Sequence, residues 1–281
     1  MKISYSGLDI EATSIGGTET CIEVPAWNLM FDVGRSPQRG DSSVVRDHVF
    51  ITHGHMDHIG GIIQHCSLRN FKNQRMSPPT YYIPSEYMQD VVGLFSTWRR
   101  ITRDLLPCTL VEVSPGQEIQ LSNTQSVRAF RSVHTLPTLG YCLMLKKTKL
   151  LPEYLGLSSQ EIITLKKSGV QISSTGWVPE FCFTGDTVPD VIAKEPLVRE
   201  ARILAMEVTF LDEQVSVENA RRHGHVHMDE FLTYADTLKN EHILMTHFSQ
   251  RYSNDQIVSL CSRKLSGSSI EGRARPLVVQ A

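Results

Sequence analysis

The stretch THGHMDHIGG, residues 52–61, crowds His53, His55, Asp57 and His58 into six positions directly behind the apolar run HVFI. An imidazole with a neutral ring nitrogen is a good zinc ligand, and a carboxylate adds charge neutralisation. Side chains two apart on extended backbone point the same way, so His53 and His55 can share one divalent ion. Asp57 and His58 open a helical stretch, DHIGGIIQH, and face a second point close by. A solitary histidine is usually a satisfied core residue, but four donors within six positions are not explained that way.

Two ions need more ligands, and the ends of other apolar runs supply candidates. FRSVHT ends on His134, FCFTGDT places Asp186 in a glycine turn, and HILMTHFS carries His247. Each alone has a plain explanation as a turn aspartate or a strand-terminal histidine. Together they repeat one pattern, apolar strand then donor, which is what a shared site above a sheet edge requires. The stretch ARRHGHVHMDEFLTYA (220–235) adds three further imidazoles, His223, His225 and His227. They belong either to a polar loop ahead of an exposed helix or to a general acid held at a helix start. Upstream, LAMEVTF ends on Glu207, either an edge carboxylate or a partner that orients a histidine and raises its pKa by opposite charge.

The elements that must position these residues follow from the apolar patterning. Strands are expected at 20–24, 28–33, 48–52, 80–83, 108–113, 126–133, 140–145, 180–185, 202–208 and 242–247. Helices are expected at 57–66, 85–104, 189–198, 228–239 and 254–263, the last capped by Ser253. Strands interleaved with helices point to a layered mixed α/β architecture, not a barrel or a bundle. The 281 residues suffice for a substantial core and are read as one domain, 1–281, without internal repeats. Residues 146–178 stand apart, with lysine pairs, Pro152 and scattered glycines, and a helical period only around 158–166. They form either a surface excursion between two strands or an arm toward a polyanion, with Lys146, Lys147, Lys149, Lys166 and Lys167 as phosphate contacts.

Composition narrows the setting. No uninterrupted apolar stretch is long enough to span a membrane, and MKISYSGLDI has neither a secretory h-region nor transit-peptide character, so a cytoplasmic location is expected, with the nucleus also open. The cysteines, Cys21, Cys66, Cys108, Cys142, Cys182 and Cys261, form no C-x-x-C pair and several lie in apolar runs, which reads as reduced thiols. A net charge of -2 neither favours nor excludes a nucleic-acid partner.

H-x-H-x-D-H followed by isolated His, Asp and His resembles the signature of the metallo-β-lactamase superfamily. The resemblance implies an αββα sandwich with two zinc ions, or manganese, at one edge. It implies His53, His55 and His134 on one ion, Asp57, His58 and His247 on the other, and Asp186 bridging. It runs from the DVG turn (Asp32, Gly34) to THFSQRY. Within that superfamily, MEVTF, HGHVH and THFSQRY resemble the short form of tRNase Z, which removes the 3′ trailer from precursor tRNA. That implies an attacking water oriented by Asp57, a proton donor at His225 backed by Glu207, and products with a tRNA 3′-hydroxyl and a 5′-phosphorylated trailer. His227 departs from the family pattern, which has threonine there, and this puts the helix-cap role in question and leaves His227 or His223 open as contributors. The family also inserts a tRNA-gripping arm where 146–178 falls, here shortened or divergent, and forms homodimers. Arg251 in FSQRY is read as a phosphate contact or a structural ion pair. The competing readings are a small-molecule hydrolase of the same fold, acting on a thioester, lactone or sulfate ester, and an inactive binding scaffold.

Overall fold

The computed structural model describes residues 1–5, 7–35, 37, 42–72 and 77–278. The first sheet holds β1 (Lys2–Tyr5), β2 (Leu8–Gly16), β3 (Glu19–Val24), β4 (Leu29–Phe31), β5 (His48–Phe50), β6 (Thr80–Pro84) and β7 (Thr109–Val113), paired in chain order. The second holds β8 (Glu118–Ser122), β9 (Gln125–Val133), β10 (Pro137–Leu150), β11 (Ser173–Phe183), β12 (Ile203–Glu207) and β13 (His242–Thr246). The two-residue β14 (Phe248–Ser249) crosses back to pair with β2, and β15 (Ala274–Pro276) closes the far edge of the second sheet beside β13. Each sheet starts antiparallel and ends parallel, at β4–β7 in the first and β11–β12–β13–β15 in the second.

The layering follows from which face each side chain takes. Along β12, Ile203 and Ala205 face the opposite sheet while Leu204 and Met206 face the helices. On the first sheet, Phe31 and Phe50 point into the sandwich and Met30 and Val49 point out. Strands covered on both faces read as continuous apolar runs, which is why HVFI and ILAM carry no alternation. Between the sheets, Phe31 packs against Tyr141, Phe181 and Phe183. The order is helix, sheet, sheet, helix.

The helices are α1 (Met56–Ile59), α2 (Ile62–Lys72), α3 (Met88–Thr102), α4 (Ser159–Lys167), α5 (Asp190–Lys194), α6 (Pro196–Glu200), α7 (Val217–Arg222), α8 (Met228–Thr233) and α9 (Asn254–Leu265). All ten expected strands are present, but four of the five expected helices are altered. The expected 57–66 helix breaks at Gly60–Gly61, where backbone packs too closely on Met56 and Arg35 for any side chain. The expected 189–198 helix breaks before Pro196, which has no N–H to donate, and Glu195 caps the new start by accepting from Leu197 N–H at 3.1 Å. The expected 228–239 helix stops at Thr233 and continues only as a 3-10 turn, Ala235–Thr237. At 85–104 a 3-10 turn precedes α3.

Residues 146–178 differ most from the sequence reading. β10 and β11 stay paired out to Leu150–Ser173, past Leu145, where β9 stops pairing with β10. A two-stranded ribbon therefore projects beyond the sheet, with α4 near its tip. It lies outside the core, so it carries a polar pattern, KKTKL opposite SSTGW, that gave no strand signal. The ribbon is locally secured: Thr148 and Thr175 pair at 2.9 Å, and Ser158 with Glu161 forms a capping box on α4. All six cysteines are free thiols, four of them buried.

Candidate metal centre and active site

The first sheet contributes one loop. After β5 the chain continues through Thr52 and His53, and His53 Nε2 lies 2.9 Å from His55 Nδ1. One turn later α1 places Asp57 and His58, with His58 Nε2 at 3.7 Å from Asp57 Oδ2. The loop is anchored by Asp32, which follows β4 in the left-handed region, φ 59°. Its carboxylate accepts from Thr52 N–H at 2.7 Å, from the Thr52 hydroxyl at 2.8 Å and from His58 Nδ1–H at 2.7 Å. Gly34 lets the same turn pass against the Asp57 backbone, where a Cβ has no room. Gly17, in the β2–β3 turn, donates its N–H to Asp57 Oδ2 at 2.7 Å.

The second sheet contributes single residues from separate strand ends: His134 after β9, Asp186 after β11, Glu207 at the end of β12 and His247 after β13. His134 Nε2 reaches to 3.3 Å from His55 Nδ1. Asp186 is central, with its carboxylate oxygens 3.7 Å from His53 Nε2, 3.3 Å from His58 Nε2 and 3.4 Å from His247 Nε2. His247 Nε2 also lies 3.3 Å from Asp57 Oδ2. His247 has φ 61°, a strained value for a side-chain-bearing residue that its packing in the site sustains.

Two donor groups result, His53, His55, His134 and Asp186 in one and Asp57, His58 and His247 in the other, and a third set, Asp186, His225 and His247, overlaps both. Their chemistry fits divalent cations. The Gly224 carbonyl accepts from His134 Nδ1–H at 2.8 Å, and Asp32 accepts from His58 Nδ1–H, so both rings keep their Nε2 lone pairs for the centre. The Thr209 hydroxyl is committed to the Glu207 carboxylate at 2.6 Å, so its oxygen accepts from His247 Nδ1–H at 3.1 Å. Nitrogen lone pairs thus converge on one another and on carboxylates at 3.3–3.7 Å, an arrangement that repels itself without a cation between.

Beside this cluster stands a dyad. Glu207 is buried, and its Oε1 accepts from His225 Nδ1–H at 2.9 Å and from Thr187 N–H at 2.7 Å. Burial works against the His225 imidazolium, yet Glu207, by charge and hydrogen bond, together with Asp186 pushes its pKa up to about 9. The His225 ring stacks on His247 at 5.3 Å and is tilted on His134 at 5.0 Å. His225 therefore faces the donor cluster with a proton to give. Both border a cleft of about 640 Å³, lined also by Thr209, Phe210, Gln214, Asn219 and Arg251.

The other sequence candidates separate. His223 lines the cleft rim, exposed. Arg251 lies over the Phe210 ring at 5.4 Å and donates to Ser249 Oγ at 3.1 Å, so it sits at the cleft, and among the described residues it makes no ion pair, which was one reading of it. Lys146 stacks over Trp177 and Lys147 pairs with Glu180 at 2.8 Å, while Lys149, Lys166 and Lys167 are exposed on the ribbon and α4. None of the five lines the cleft. The helix-cap role that the missing threonine put in question is filled by His227 itself, whose Nδ1 accepts from Asp229 N–H at 3.1 Å at the start of α8. Sequence reasoning missed Thr52, Thr209 and Gly224. Gly224 had a signal, the glycine between two histidines: it has φ 77° and a Cβ there would lie 2.5 Å from His134 Nδ1.

A family model described as the beta-lactamase superfamily domain matches residues 27–248, the span that holds these donors. The tRNase Z TRZ1 of Arabidopsis thaliana is 41% identical over 91% of this chain and 90% of that one. The chloroplastic tRNase Z TRZ2 of the same plant is 36% identical over 88% of this chain and 69% of that one. The crystal structure of human short-form tRNase Z shares the fold, with a TM-score of 0.60 at 18% identity, covering 86% of this chain and 93% of that one. The chain belongs to the tRNase Z family of the metallo-β-lactamase superfamily.

Proposed function

We propose that the chain is the endoribonuclease that removes the 3′ trailer from precursor tRNA, leaving a tRNA 3′-hydroxyl and a 5′-phosphorylated trailer. The observation that carries this is the His225–Glu207 dyad, joined by a 2.9 Å hydrogen bond and set directly against the donor cluster, since an alkoxide leaving from a phosphodiester needs a proton. His53, His55 and His134 would hold one ion and Asp57, His58 and His247 the other, with Asp186 between them, zinc first and manganese as the alternative. When bound, such ions supply Lewis-acid stabilisation of the phosphate and ease the deprotonation of water. Asp57, fixed by the Gly17 N–H, orients the attacking water. His225 gives its proton to the leaving 3′-oxygen while Glu207 holds its other nitrogen.

The ribbon 146–178 serves as the arm that grips the tRNA body, with Lys149, Lys166 and Lys167 as its available cations and Arg251 taking a phosphate at the cleft. The chain acts as a homodimer, supported by an exposed apolar face on and beyond α3, Leu94, Trp98, Ile101 and Leu105. Charge along α3 is self-complementary, with Asp90 in its first turn and Arg99 and Arg100 in its last, as antiparallel pairing of two copies requires. No helix among the described residues is long and apolar enough to cross a membrane. The six free thiols fit a reducing cytoplasmic or nuclear compartment. Incubation of the metal-loaded protein with a 3′-extended precursor tRNA tests the reading; an uncut precursor would sink it.

A further inference from the structure

His227 uses both of its ring nitrogens. Because Nδ1 accepts from Asp229 N–H, the proton sits on Nε2, which donates to the Asp212 carbonyl at 3.1 Å. The side chain is buried, and its backbone bridges to Phe210 in parallel register. A threonine hydroxyl can make the cap but cannot also reach Asp212, because one short side chain does not span both partners. The imidazole therefore does something here beyond capping a helix.

Asp212 organises the lip of the cleft. Its carboxylate accepts from Gln214 N–H at 3.2 Å, from the Gln214 side-chain amide at 3.0 Å and from the Tyr252 hydroxyl at 3.0 Å. Tyr252 in turn accepts from Leu211 N–H at 3.1 Å. Gln214 and Val215 from this lip line the cleft together with Arg251, Phe210 and Asn219. Two side-chain amides and a guanidinium suit a nucleotide, by base-edge hydrogen bonds and phosphate pairing.

We propose that His227 is a positioning residue, the latch that holds the Leu211–Val215 lip in place and so sets affinity for the nucleotide next to the cleaved bond. The proposal rests on the precursor-tRNA reading for its ligand. The latch contacts the lip and not the reacting atoms, so its loss weakens binding while the dyad works as before.

The test compares wild type, His227→Thr and Tyr252→Phe, all metal-loaded, on a 3′-extended precursor tRNA. His227→Thr retains a good cap, so KM should rise about tenfold with kcat within about twofold, the pattern expected when uniform binding is removed. Amide exchange at Leu211–Val215 should quicken about tenfold in the same protein, with bound metal unchanged. Tyr252→Phe, which removes the hydroxyl between Leu211 and Asp212, should shift KM and exchange in the same direction. A fall in kcat at unchanged KM, or unaltered exchange of the lip, overturns the latch. If the wild type leaves the precursor uncut, the substrate reading fails, and the exchange comparison alone decides the latch.

Discussion

The two sheets pair their strands in the same order, antiparallel then parallel, yet they build the site in opposite ways. The first delivers four donors from one loop behind β5. The second delivers His134, Asp186, Glu207 and His247 one at a time, from four strand ends far apart in the chain. In the loop, ligand spacing is set by local backbone geometry. In the second sheet it is set by strand register, such as Glu207 opposite Thr246 across β12 and β13. A third layer of control comes from groups that only hydrogen-bond the ligands, Asp32 and Thr52 on the first side and Thr209 and Gly224 on the second.

Breaking the scattered half should cost the most at Asp186, which touches donors of both groups. Asp186→Ala is expected to lose bound metal by elemental analysis and more than about 10³-fold in kcat/KM. His225→Ala should separate chemistry from metal: kcat falls about 10²–10⁴-fold while metal content holds. Metal loss in that variant would make His225 a ligand, not the donor. Gly224→Ala drives a methyl group toward His134 Nδ1 and should weaken metal binding about 10–100-fold in a chelator titration.

A milder test exchanges Lys149, Lys166 and Lys167 for glutamate. Binding of precursor tRNA should weaken and the slope of log K against log salt should flatten by about 2–3, at roughly 0.9 for each phosphate no longer neutralised. Hydrolysis of bis(p-nitrophenyl) phosphate should not change, and equal loss of both activities would refute the arm. The smallest effect sharpens the contrast between ligand and structural histidine on the first side. His65 in α2 is buried between the Tyr81 hydroxyl, at 2.7 Å, and the Ser43 carbonyl, and burial lowers its pKa to about 4. The unfolded chain takes up that proton first, so stability should be complete above about pH 6.5 and decline by roughly 3 kcal/mol toward pH 4. Denaturant melts of wild type and His65→Gln across that window check it, and identical slopes would exclude the assignment.

Much of the fold is legible in the chain alone. HVFI and ILAM mark buried parallel strands because both faces are covered, and each central strand falls within a few residues of its expected place. β2 escapes the sequence reading although Leu8, Ile10 and Ala12 alternate inward, and β8 escapes it because an edge strand reading EIQLS is largely polar. The ribbon is illegible for the same reason, since a two-stranded extension outside the core needs no apolar pattern. Position 227 is ambiguous in the sequence because a cap is sought in a hydroxyl, whereas an imidazole lone pair accepts the same N–H.

By itself the sequence determined the donor types and the spacing within residues 53–58, because neighbours along the chain are held together by covalent geometry. It also determined that three further donors follow apolar strands. Tertiary structure alone decided that those strands end at one rim, which nitrogen of each imidazole faces the centre, and that Glu207 lies behind His225. Those outcomes depend on strand register and on hydrogen-bond partners such as Asp32, Thr209 and the Gly224 carbonyl, and no spacing along the chain encodes a contact between residues that only folding brings together.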